Sequence, residues 1–126
     1  MPAQAVKRRR APAGQPRPGD YGRCMTIPTL AGRDCTTMAE VRAGVDGLDC
    51  ELVALLRRRF DYMDAAARIK PTRDAVRDDA RKAQVIAQAR AAAETAGLPG
   101  SAIAAMWDTL VEASIAYELA AFDARR

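Results

Sequence analysis

The sequence predicts an all-helical chain of three helices, the first much longer than the other two. Three observations lead there. Apolar residues recur at spacings of four and three from Val41 to Ala67, the period of one helix face. After residue 34, proline occurs only at Pro71 and Pro99, which divides the body into three stretches free of helix breakers. No stretch alternates as a strand does, and an alanine-rich, aliphatic composition with aromatics at 5% favours helix.

The first helix is expected from Thr37 to about Lys70. Thr37 with Glu40 three residues later is a capping-box signature. The stripe then runs through Val41, Val45, Leu48, Leu52, Leu55, Leu56, Phe60, Met63 and Ala67. Lys70-Pro71 ends it, because the residue before proline resists the α region. A helix of that length spans roughly 50 Å. Two shorter helices of the same chain cannot cover it, so a partner chain is implied. Gly44 and Gly47 weaken the helix by about 1 kcal/mol each relative to alanine, or mark a close crossing.

The second helix is expected over about Ala75 to Ala96, closed by Gly97 and Pro99. The third is expected from Ser101, as N-cap, to about Asp123. Its inner face is read as Ile103, Met106, Trp107, Leu110, Ser114, Tyr117, Ala121 and Phe122.

Residues 1–34 have no periodicity and hold five of the seven prolines. They are expected to form a disordered basic extension ahead of a helical domain over 35–126. Met25 is a second candidate start. The overall charge of +4 comes from this segment, where seven Lys/Arg face two Asp. The body is close to neutral, so basicity does not argue for nucleic-acid binding by the folded part. A passive tail is preferred over a nucleic-acid arm or a targeting segment. The KRRR run (Lys7 to Arg10) has no apolar segment behind it, and no apolar run reaches the length of a membrane span.

The three cysteines, Cys24, Cys35 and Cys50, have no metal-ligand spacing, and there is no histidine. That argues against His-ligated metals, His general bases and His-containing triads. It reads as a cytoplasmic protein in a reducing compartment, with Cys50 a small core residue.

The informative departures are ionisable groups beside apolar stripes, because buried charge is costly unless paired. Arg42 flanks the stripe at Val41. Arg57, Arg58 and Arg59 cluster beside Phe60. Lys70 follows Arg59 by 11 residues, close to three turns, so the two share a face. Ser114 and Glu118 are one turn apart on the third helix. Each arginine alone reads as a solvated charge with a helical neighbour such as Asp61 or Asp64. Together, several cations and one carboxylate suggest a site for a small dianion, since arginine stays charged and binds carboxylates through two parallel hydrogen bonds. Arg42 and Arg59 are 17 residues apart, roughly 25 Å along one helix. A shared site therefore requires a second copy of the chain.

Residues 35–70 resemble the first helix of the all-helical chorismate mutases, in the branch that includes isochorismate pyruvate lyases. The pattern is an early Arg, a Leu-Asp pair, a Leu-rich run ending in Arg-Arg, and Lys 11 residues on. It continues through Arg77-Asp78-x-x-Arg81 and ends in Ser114-x-x-x-Glu118, covering about residues 35–123. The resemblance implies an intertwined homodimer of three-helix chains with antiparallel first helices, acting on chorismate without metal or cofactor. It implies that Arg42 is donated by the other subunit. Arg42 and Arg59 would grip two carboxylates, Lys70 would sit near the ether oxygen, and Arg81 would assist binding. Asp78 and Ser114 would line the substrate site.

Two residues depart from the family pattern. Glu118 stands where many members have Gln. Only a protonated carboxyl can donate to the ether oxygen, so better activity at mildly acidic pH is expected. Lys82 replaces a Glu that contacts the substrate hydroxyl in many mutases, and it is not assigned a catalytic part. Chorismate mutase is the preferred function. Isochorismate pyruvate lyase and a non-enzymatic helical dimerisation module are the alternatives.

Overall fold

The computed structural model describes residues 29–126. The KRRR run, Met25, Cys24 and most of the proline-rich extension lie outside the described residues. Three α-helices form the body: α1 (Met38–Ile69), α2 (Asp79–Thr95) and α3 (Gly100–Ala124). Short 3-10 turns occupy Gly32–Asp34 and Arg73–Ala75. No strand occurs among the described residues, and none of their helices is long and apolar enough to cross a membrane. The chain divides into two compact units at Arg57/Arg58, each with its own character.

In the N-terminal unit, the expected capping box is present. Glu40 N–H donates to Thr37 Oγ1 at 3.2 Å. The Glu40 carboxylate accepts from the Thr37 hydroxyl at 2.9 Å and from the Thr36 N–H at 3.3 Å. These bonds, with Thr37 first, hold the Glu40 carboxyl below its usual range. The Gly32–Asp34 turn shows that regular structure begins before residue 35. Leu30 and Thr29 lie against α1 at Gly44 and Gly47, where an added Cβ would meet Leu30 O at 3.8 Å and Thr29 Cγ2 at 3.7 Å. The apolar stripe is otherwise exposed: Val45, Leu48, Leu52 and Leu55 all keep half or more of their surface in solvent. Cys50, expected as a small core thiol, is half-buried and disulfide-bonded, which departs from the all-thiol chain expected; Cys35 is the free cysteine among the described residues.

The C-terminal unit builds a core from its own residues. Ala67, Val76, Val111, Ile115 and Phe122 pack together, with Val85, Leu119 and Ala121 against them. Phe60 meets Tyr117 edge to face at 4.9 Å, and the Tyr117 hydroxyl donates to Asp64 at 2.9 Å. Pro71 stops α1 as expected. The following loop is pinned by buried Val76 and by Arg73 on Asp123 at 3.0 Å.

Three expectations shift here. α2 starts at Asp79 rather than Ala75, because Asp78 takes the N-cap and accepts from Arg81 N–H at 2.9 Å. Ser101 is not the cap of α3. The helix begins at Gly100, and the Ser101 hydroxyl instead accepts from Arg90 at 3.3 Å. The inner face of α3 is also rotated from the expected one. Ala104, Val111, Ser114, Ile115, Glu118 and Phe122 are buried, while Met106 is exposed. Between α2 and α3, Gly97 has φ of 75°. Gly97 N–H bonds Glu94 O at 3.0 Å and Leu98 N–H bonds Ala93 O at 2.8 Å, a Schellman closure that needs the left-handed conformation glycine adopts freely.

Candidate active site

A cavity of about 370 Å³ opens in the C-terminal unit, within the size range of small-molecule sites. Its floor is apolar, formed by Met63, Val76, Val85, Val111 and Ile115. Onto that floor project Arg59 and Lys70 from α1, Arg81 and Lys82 from the first turn of α2, and Ser114 and Glu118 from α3. Asp78, the cap of α2, lines the same cavity. Six residues singled out in the sequence, Arg59, Lys70, Asp78, Arg81, Ser114 and Glu118, therefore meet at one place. Arg42 is exposed and is not among the residues lining this cavity.

Arg59 is fixed by Ser114. Its Nη1 donates to Ser114 Oγ at 2.6 Å, and that hydroxyl donates in turn to Leu110 O at 2.7 Å. The hydroxyl proton is thus committed to the backbone one turn back, and its lone pair faces the guanidinium. Burial lowers the Arg59 pKa, and the charge of Arg81 adds to that. Arginine still remains a cation under these conditions. Among the described residues no carboxylate pairs with Arg59 or Arg81; Arg81 Nη1 donates to Gln84 at 2.7 Å. Two guanidiniums without counterions beside one apolar cavity make a strong anion site.

Lys70 and Glu118 form the second element. Lys70 Nζ lies 2.6 Å from Glu118 Oε1 and donates to Val76 O at 3.3 Å. Glu118 is 4% exposed. Its Oε1 has no hydrogen bond of good geometry despite the short approach. The contact is thus an ion pair rather than a directed hydrogen bond. A buried carboxylate so close to an ammonium is held by Coulomb attraction that offsets its loss of water.

Lys82, unassigned by sequence, lines the cavity but turns its ammonium to α3. It lies 2.7 Å from Glu112 and 3.0 Å from Asp108. Glu112 also takes both Arg77 Nη atoms, at 3.1 and 2.8 Å. These two cations, Arg77 first, pull the Glu112 carboxyl down to about 2. Glu112, Asp108 and the apolar floor were not anticipated from the sequence. The i, i+4 acidic pair Asp108/Glu112 was the available signal, but nothing local says which cations it meets.

The chemistry on offer is limited in kind. The pocket has cations, an apolar floor and one buried carboxylate, arranged to bind and orient a compact dianion and to stabilise charge on one of its oxygens. The chain is 30% identical over 86 residues to an isochorismate pyruvate lyase of Pseudomonas aeruginosa, an overlap of 68% of this chain and 85% of the relative. The chorismate mutase type II family matches residues 41–119, a span that holds Arg42 at its start and Glu118 at its end. The chain belongs to the chorismate mutase type II family.

Proposed function

We propose that the protein is a chorismate mutase, which rearranges chorismate to prephenate within a homodimer whose sites are shared. The observation that carries this reading is the pair of guanidiniums, Arg59 and Arg81, left without carboxylate partners beside a cavity of about 370 Å³. In this reaction an ether C–O bond breaks as a C–C bond forms, in one intramolecular step. No proton has to move and no nucleophile is needed. The protein has two tasks: to hold the dicarboxylate in a compact conformer, and to stabilise the negative charge that grows on the ether oxygen.

Arg59 grips one carboxylate, oriented by Ser114 behind it. Arg81 supports binding from the first turn of α2, with Asp78 capping that turn. Lys70 is the donor nearest the ether oxygen. Its ammonium is paired with Glu118, so substrate and Glu118 compete for it. Protonation of Glu118 would release Lys70 and turn the carboxyl into a second donor.

The second carboxylate is gripped by Arg42 of another copy. Support comes from the stripe Val45, Leu48, Leu52 and Leu55, whose exposed apolar surface calls for a partner helix. An antiparallel partner brings Arg42 back toward the other chain's Arg59.

The second reading is isochorismate pyruvate lyase, favoured by the similarity to the Pseudomonas aeruginosa enzyme. The same cations serve elimination of pyruvate from isochorismate, because that step also breaks the ether bond with charge on its oxygen. The two readings separate in one assay. Purified protein is given chorismate and isochorismate in competition, and prephenate, pyruvate and salicylate are followed. Prephenate as the main product supports the mutase. Salicylate with stoichiometric pyruvate replaces it with the lyase, and turnover of neither substrate removes both.

A further inference from the structure

Arg59 and Arg81 are like charges on the lining of one cavity, and burial around Arg59 strengthens their repulsion. Among the described residues neither cation has a carboxylate partner. The first turn of α2, which carries Arg81, should therefore be pushed away from α1. Something must hold it in place before a ligand arrives.

The residues that flank this turn are tied to α3. Arg77, just before α2, makes a two-pronged contact with Glu112 at 2.8 and 3.1 Å. Lys82, four residues into α2, meets the same carboxylate at 2.7 Å and Asp108 at 3.0 Å. Between Arg77 and Lys82 lie Asp78 and Arg81, the two residues of the turn's cap bond. Among the described residues Glu112 is the one carboxylate that takes both flanking cations. Exposed ion pairs are weak singly, but a fork shared by two cations fixes geometry as well as charge.

We propose that Glu112 is a positioning residue: through Arg77 and Lys82 it clamps the first turn of α2 to α3 and holds Arg81 beside Arg59 against their mutual repulsion. Lys82 then has a part that does not involve touching the ligand. Its ammonium is turned to Asp108 and Glu112, and it anchors the turn from which Arg81 reaches the cavity. The clamp deepens the dianion-site reading on which it rests.

The test is a double-mutant cycle on the full chain, read by calorimetric binding of benzene-1,3-dicarboxylate, a compact unreactive dianion. Glu112→Gln should weaken binding about five- to tenfold, and Glu112→Asp should recover most of the loss. In an Arg81→Ala background the same Glu112→Gln change should cost less than about twofold, since its effect passes through Arg81. Circular dichroism confirms that each variant is helical. Equal weakening in both backgrounds overturns the proposal, because a general structural role acts without Arg81. Unchanged binding in Glu112→Gln, or no binding by the parent chain, overturns it as well. The cycle does not depend on turnover. If neither chorismate nor isochorismate reacts, the enzymatic reading fails while the clamp is still judged.

Discussion

The two units of the chain differ in how they treat their apolar residues. The C-terminal unit buries Val76, Val111, Ile115 and Phe122 among its own helices and builds a polar site on that floor. The N-terminal unit carries an equally regular stripe on α1 and leaves Leu48 60% and Leu52 55% exposed. One is self-sufficient, and the other leaves its apolar face uncovered. Helical periodicity is the same in both, so it marks an apolar face without saying what covers it. The difference makes the proposed site and the proposed assembly separable: variants can strike the pocket without touching the stripe, or the stripe without touching the pocket.

The largest effect should come from the pocket. Arg59→Ala removes a preorganised cation and should lower kcat/KM by about 10²–10³, measured by steady-state kinetics. Its association state should be unchanged by light scattering. Full activity would reduce Arg59 to a solvated charge and remove it from the proposed site.

Next is the stripe. Leu52→Glu places a charge where a partner helix is proposed, and should raise the dimer dissociation constant by about a hundredfold or more. Sedimentation velocity reads this directly. The core around Val111 and Ile115 should stay intact, so helicity should persist at micromolar concentration. An unchanged association state would leave the stripe's exposure without a partner to explain it.

How far the sequence reaches follows the same division. The long helix was readable almost to the residue, because its capping box and Lys70-Pro71 are local signals. The start of α2 was not: Asp78 captures the Arg81 N–H and wins over the helix-compatible run at Ala75 and Val76. The face of α3 was misjudged at Met106 because Trp107, Leu110 and Tyr117 suggest a stripe of similar strength one position away. Spacing singled out Arg59, Lys70, Ser114 and Glu118 but could not prove convergence; the family resemblance supplied that expectation and added Asp78 and Arg81. Lys82 stayed unassigned because its partners lie on another helix.

Smaller effects sharpen the pocket. Glu118→Gln should keep activity at pH 7 within about threefold or raise it, and flatten the pH profile, since the neutral amide can donate without being protonated. A large loss across the whole pH range would make the ionised carboxylate essential. Glu112 makes the mildest prediction, on stability. Its folded pKa of about 2 lies below the ordinary glutamate value, so its contribution is present above that value and lost as pH falls toward 2. Denaturant titrations from pH 6 to 2 should show a shallower acid loss in Glu112→Gln than in the parent chain. Parallel curves would mean that its pairing adds nothing to folding.

The central claim is that the pocket of one chain is completed by Arg42 of another, and complementation tests it most directly. Arg42→Ala and Arg59→Ala chains are each expected to be nearly inactive. Mixed, unfolded together and refolded at equal amounts, they form heterodimers in which one site carries both lesions and the other carries neither. Activity should return to about a quarter of the parent value if pairing is random. A mixture no more active than its two components would contradict the shared site.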